Sequence, residues 1–340
     1  MEYFWKKKAI LSFLAAILIV AIHNSTGWQY SGAMATDGWI SGALAIHDFL
    51  AYILGGVAVP FFFFISGVTM FRNYKPALYK RKMKSRVKSL LIPYLIWNVV
   101  GMVVAIIYTY TPLKEVTAGR EEFVPTVENV LRGVFLYKYN YHFWFLAELM
   151  IYTALAPVIN VLITKKWSAA ATVVLLLAST LVSGLGVYPL FYVIGCCLGK
   201  HYLEAATRKQ SKSVIVMCGV MVLVGLGARV SESLRVIEMP LILAVVSLLI
   251  LMMGIYGLAD GVLPNVKNRE VYGEFFPLYV LHPYIIAVVV KAMFIVGPKQ
   301  TWMAVVAEVL GTVLAVVLTV VVARVWHKKL PKSYKVCFGD

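Results

Sequence analysis

Charge is scarce in this chain. Only 14% of its 340 residues are Asp, Glu, Lys or Arg, against about a quarter in an ordinary soluble domain. Acids are scarcer than bases, 16 against 32. There are four cysteines, Cys196, Cys197, Cys218 and Cys337, with neither CxxC nor zinc-finger spacing. No disulfide framework and no structural metal are expected; the four read as small apolar packing residues. Low-complexity stretches and internal repeats are also missing. A surface so poor in charge does not suit a soluble enzyme. The hydrophobic content excludes a disordered chain, and the missing glycine period excludes a collagen-like fibre.

What fills the chain is apolar: 61% of residues, with a mean hydropathy of +0.81. About 20 apolar residues span a bilayer core. Ten candidate spans follow, at about 9–23, 50–72, 89–110, 143–163, 168–187, 188–203, 213–228, 239–259, 274–293 and 302–325. The expected fold is an all-α, polytopic membrane bundle, one unit over residues 1–340 without a separate soluble domain. Lys6-Lys7-Lys8 before the first span also resembles a signal peptide. Ala33-Met34-Ala35 lies too far beyond the apolar run to be its cleavage site, so the segment reads as a retained helix.

The net charge of +16 would suggest nucleic acid in a soluble protein. Here the cations lie between apolar runs, as membrane topology arranges them, and no nucleic-acid partner is expected. With both termini cytoplasmic, the inner segments carry 24 of the 32 Lys and Arg. The outer set is Lys114, Arg120, Arg132, Lys138, Arg229, Arg235, Lys291 and Lys299. This bias supports that direction. Two outer segments are long, 24–48 and 111–141. The second contains Thr126 to Tyr137, with Val127, Val130, Leu131 and Val134 on one face of an expected interfacial helix.

Ionisable groups inside spans are costly, so each is a candidate site. His23 ends the first span; it is either a headgroup-level histidine or a functional imidazole. Glu148 lies in the fourth span, as an internal strut or a ligand group. Tyr141, Phe145, Glu148 and Tyr152 share a helical stripe, with Trp144 one turn before Glu148. His282 lies in the ninth span before Pro283, and could serve the kink or a site. Glu308 and Arg324 sit near the ends of the tenth and read as snorkelling interfacial residues. Arg72, Lys75, Lys80, Arg81, Lys82, Lys84, Arg86 and Lys88 precede Pro93-Tyr94. They mark the inner side and attract anionic lipid, or they dock the phosphates of a soluble donor.

Several stretches together resemble one family. They are the apolar run ending in His23-Asn24-Ser25; Val59-Pro60 through Ile65-Ser66-Gly67; the basic run leading to Leu91-Ile92-Pro93-Tyr94-Leu95-Ile96-Trp97; Tyr141-His142-Phe143-Trp144-Phe145-Leu146; Tyr279-Val280-Leu281-His282; and the terminal Phe338-Gly339. In this order they resemble the membrane acyltransferase type 3 family, over nearly the whole chain. The resemblance implies about ten core helices in a bacterial inner or plasma membrane. It implies transfer of an acyl group, most often acetyl, from cytoplasmic acyl-CoA to a hydroxyl of a cell-envelope glycan or lipid-linked sugar. Acyl-CoA is then a co-substrate and no bound cofactor is implied. Membrane lipids are partners, and a homo-oligomer is open.

On that resemblance His23, Glu148 and His282 are the catalytic candidates, with His23 as the base. Arg81, Lys84, Arg86 and Lys88 would hold the donor's phosphates. Tyr141, His142 and Trp144 would face the acceptor. The family commonly has arginine eleven residues before the first-helix histidine; here that position is Ser12. Eleven residues make three turns, about 16 Å on one face. Lys8 lies one turn further down that face and could substitute. Two other classes remain open. A proton-coupled transporter or flippase also needs buried His and Glu, and a non-catalytic scaffold would tolerate the missing arginine.

Overall fold

The computed structural model describes residues 1–24, 38–111, 121–182, 187–233, 236, 240–297 and 302–339. Among them every regular element is a helix and none is a strand. In chain order they are α1 (Glu2–His23), α2 (Gly38–Asp48), α3 (Ala58–Phe71), α4 (Tyr79–Arg86), α5 (Ile92–Thr109), α6 (Val127–Phe135), α7 (Trp144–Ala154) and α8 (Ala156–Leu162). There follow α9 (Lys166–Val182), α10 (Tyr188–His201), α11 (Leu203–Thr207), α12 (Lys212–Ser233), α13 (Leu241–Val262), α14 (Phe275–Val296), α15 (Trp302–Lys329) and α16 (Pro331–Phe338).

Among the described residues six helical stretches are long and apolar enough to cross a membrane: Leu44–Phe71, Pro76–Thr109, Lys212–Ser233, Leu241–Asn265, Glu270–Met293 and Trp302–Lys329. A seventh arises if Tyr141–Ala154 and Ala156–Leu162, bent at the break between them, count as one. Pro157 supplies no N–H to the preceding turn, which accounts for a break there. The expected second span starts earlier than the sequence suggests. Part of the segment expected as an outer loop is helix α2, and it runs through a wide π turn, Phe49–Leu54, into α3. The interfacial helix expected between Thr126 and Tyr137 is α6. Thr126 caps it by accepting from the Asn129 N–H at 3.2 Å, and Val127, Val130 and Leu131 are exposed. Ser25, Ala33-Met34-Ala35, Lys114, Arg120, Arg235 and Lys299 lie outside the described residues.

The chain divides into two compact units, Met1–Tyr74 with Val158–Val322, and Lys75–Pro157 with Ala323–Asp340. In the first, α1 packs against α3, α14 and the π turn. Two tight helix pairs flank this core: α3 with α10, and α12 with α13. Small residues set both. A Cβ at Gly195 would collide with the Phe64 carbonyl, and one at Gly67 with the Tyr192 carbonyl. A Cβ at Gly199 would lie 2.6 Å from the Val68 oxygen. Gly195-Cys-Cys-Leu-Gly199 is thus a small-xxx-small face against which α3 lies backbone to backbone. Cys196, one side of that face, is fully buried, and all four cysteines are free thiols. Gly225 and Gly254 do the same service between α12 and α13, facing Leu251 and Val222.

In the second unit α5 packs against α6 and α16. The chain's ending has a definite job. The Trp97 indole N–H donates to the Cys337 carbonyl at 2.9 Å, and Phe338 lies 5.6 Å from the Trp97 ring and 5.4 Å from Trp326. Gly339 follows with φ at 69°, in the left-handed region, against the backbone of Ser89.

Gly195→Leu is expected to break the α3–α10 contact, because the clash is with main chain that cannot rotate away. In detergent it should lower the thermal midpoint by about 10 °C or more, on the order of several kcal/mol of lost stability. Gly227, on α12, has open space around its Cβ position. Gly227→Ala should leave the midpoint unchanged or slightly raised.

Candidate functional site

Polar residues gather at the end of α1. His23 is its last residue and is partly buried. Its ring stacks on that of His282, with centroids 5.1 Å apart and planes within 22°. His282 is fully buried in α14, and the Tyr279 ring lies 6.3 Å from it. The Nδ1 atom of His282 lies 3.0 Å from the Leu278 carbonyl. A carbonyl only accepts, so Nδ1 carries the hydrogen. In the neutral ring this leaves Nε2 as the basic atom. One imidazole of the pair is therefore enclosed with a fixed tautomer, and the other has an open side.

Asn24 follows His23 and is fully buried. Its amide nitrogen donates to the carbonyls of Ala307 and Glu308, both at 2.9 Å, and approaches Thr312 Oγ1 at 2.8 Å. All three partners belong to α15. Glu308 is also buried, and its Oε1 accepts from His47 Nδ1 at 2.9 Å. Glu308 is thus no snorkelling interfacial residue. In sequence it reads as interfacial, because six residues from a helix start is within snorkelling reach, while pairing with a distant histidine is invisible in sequence. His47 was missed because its segment read as an outer loop. Arg324 is exposed.

Ionic pairing also marks the other end of α1. Lys7 and Asp260, both buried, lie 2.7 Å apart. Asp260 accepts from Tyr3 OH at 2.6 Å and from the Gln210 N–H at 3.1 Å. The Lys7 ammonium sits 3.7 Å above the Tyr256 ring. The buried cation of α1 is therefore Lys7. Lys8 lies over Trp5 at 5.2 Å instead. Ser12 is fully buried, and its hydroxyl has no hydrogen-bond partner among the described residues. By the helical rise Lys7 is about 24 Å from His23.

The remaining candidates belong to the second unit. Glu148 is half-buried and accepts from Tyr152 OH at 2.5 Å, one turn on. The expected stripe through Tyr141 does not form, because α7 starts only at Trp144. Tyr141–Phe143 is a 3₁₀ turn, which rotates Tyr141 out to 61% exposure while Phe145 and His142 stay buried. Trp144 is half-buried. Arg81, Lys84 and Lys88 are exposed and Arg86 is half-buried, on α4 and the π turn Val87–Leu91 that follows it. No acid lies between Asp48 and Glu115, so nothing local in sequence neutralises this run. Among the described residues no group of three or more His, Cys, Asp and Glu forms a metal site.

Asp260→Asn should leave Lys7 charged in an apolar interior. A loss of about 3–5 kcal/mol is expected, as when one member of a buried ion pair is removed. Lys7→Met combined with Asp260→Leu should recover most of it. Thermal unfolding of the wild type, Asp260→Asn and the Lys7→Met/Asp260→Leu double variant in one detergent checks this; a double variant no more stable than Asp260→Asn would contradict the pairing.

A family model described as an acyltransferase domain matches residues 10–324. No curated protein and no solved structure matches the chain. The match takes in the His23–His282 pair, the Asn24 hub and the basic helix within one continuous family pattern, and on it the chain belongs to the acyltransferase type 3 family.

Proposed function

We propose that this protein is a multi-pass membrane O-acyltransferase that moves an acyl group, acetyl first among candidates, from cytoplasmic acyl-CoA to a hydroxyl of an extracytoplasmic glycan or lipid-linked sugar. The observation that carries the reading is the stacked His23–His282 pair, which joins the end of α1 to the apolar interior of α14 in a chain of this family. In the proposed topology α1, the bent α7–α8 pair, α9 and α10 also cross, which with the six long helices makes ten spans. Both termini are then cytoplasmic, and the membrane is the bacterial inner or plasma membrane.

The chemistry needs one proton acceptor. The acceptor hydroxyl gives its proton to an imidazole as its oxygen attacks the thioester carbonyl. The C–S bond then breaks, and the CoA thiolate takes up that proton. His23 is the base in this reading, because its ring is the accessible member of the pair. His282 stands behind it. A thioester is activated enough that a ternary complex suffices, with no acyl-enzyme required. Arg81, Lys84, Arg86 and Lys88 bind the CoA phosphates in this scheme. Ser12 and Lys8 line the donor's way, and Glu148 with Tyr141, His142 and Trp144 contacts the sugar.

His23→Ala should fold and lose about 10²- to 10⁴-fold in transfer rate, the usual share of a general base. The assay is radiolabelled acetyl-CoA with purified protein in nanodiscs and an envelope glycolipid extract. A folded variant with wild-type transfer would remove the proposal. Separately, replacing Arg81, Lys84, Arg86 and Lys88 together by Gln should raise the acetyl-CoA KM about tenfold or more and flatten its salt dependence. The acceptor KM should stay where it was.

A further inference from the structure

Two buried oxygens, one on Asn24 next to His23 and one on Glu308, have no donor among the described residues. The two carbonyls that Asn24 contacts can only accept, so the atom facing them is the amide nitrogen, and the amide is fixed in that orientation. Its other atom, Oδ1, is then an acceptor. It is buried and has no hydrogen-bond partner among the described residues. Glu308 repeats the pattern. Oε1 takes the His47 hydrogen, and Oε2 is buried with no partner among the described residues. Both side chains are almost completely enclosed, at 0% and 1% exposure. They are tied to each other, because the Asn24 nitrogen donates to the Glu308 main-chain oxygen.

Leaving a buried acceptor unsatisfied is costly, and more so for a carboxylate. Two on one hub are a standing demand for donors. The rest of the hub is saturated. Thr312 gives its hydrogen to the Glu308 carbonyl at 2.7 Å and cannot serve them. His47 is committed through Nδ1.

We propose that Asn24 Oδ1 and Glu308 Oε2 form a binding subsite for hydroxyl groups of a polyol, with His47 holding the Glu308 carboxylate in place. This deepens the reading of the protein as an acyltransferase, since Asn24 adjoins His23 and the bound polyol is its sugar acceptor. It differs from the aromatic contacts of the second unit, because it reads donors and not ring faces. A sugar presents several hydroxyl donors, and each of the two acceptors takes one. A fully O-methylated sugar has nearly the same ring and no donor to give.

The test is binding without turnover. Purified protein in a sugar-free detergent is titrated with methyl glycosides of glucose, galactose and N-acetylglucosamine, and with their per-O-methylated counterparts. Thermal midpoints are read. At least one free glycoside should raise the wild-type midpoint, and its methylated form should not. Glu308→Gln keeps a carbonyl for His47 but turns a donor into the subsite. In that variant the apparent Kd should rise about tenfold or more. Equal protection by free and methylated sugars would overturn the subsite even if the variant did not fold. So would no protection by any glycoside, or an unchanged Kd in a folded Glu308→Gln protein. Transfer activity is measured separately. Sugar protection without acyl transfer to any acceptor would overturn the reaction and leave the subsite standing.

Discussion

One side-chain amide holds the first unit's polar centre together. In a membrane interior no water replaces a missing partner, so a helix end buried there must find partners within the protein. The first helix ends at His23, and the next residue commits both amide hydrogens of its side chain to carbonyls of α15. This fixes where the helix stops. It also fixes His23, which has no freedom to drift while Asn24 is anchored. His282 then meets a ring whose position is already set. Both the proposed base and the proposed hydroxyl subsite inherit their geometry from that amide.

The same constraint explains how charge is handled. Lys7 with Asp260, and His47 with Glu308, join four buried ionisable groups to partners from distant parts of the chain. Such pairs gain little over apolar residues of equal size. Their value lies in what they specify, which helix neighbours which and at what height. The exposed cations of the basic run follow a different pattern. They cluster at and before the start of the Pro76–Thr109 stretch, with no nearby acid in sequence.

Much of this was legible in the sequence, and the failures have physical reasons. Apolar runs interrupted by single ionisable residues pointed to His23 and His282, because an ionisable group in a long apolar run is costly unless a partner or a reaction needs it there. Gly195 and Gly199 were visible as residues but not as a contact, since their partner backbone, at Phe64 and Val68, belongs to a helix far earlier in the chain. The roles of Asn24, His47 and Glu308 escaped for the same reason: each depends on pairing between the first helices and the last long one. The Tyr141 stripe failed on a local detail. Helical phase was extended backwards through a 3₁₀ turn that advances the chain differently. Matching faces with Ser12 favours Lys8 over Lys7, a rule that ignores where Asp260 lies.

The central claim is that His23 and His282 act as one unit in acyl transfer. A double-mutant cycle tests it most directly, with single-turnover transfer from radiolabelled acetyl-CoA measured in His23→Ala, His282→Ala and the double variant. If the pair is one unit, the double variant should be little slower than His23→Ala alone. Losses that multiply, in folded proteins, would show two independent roles and contradict the account.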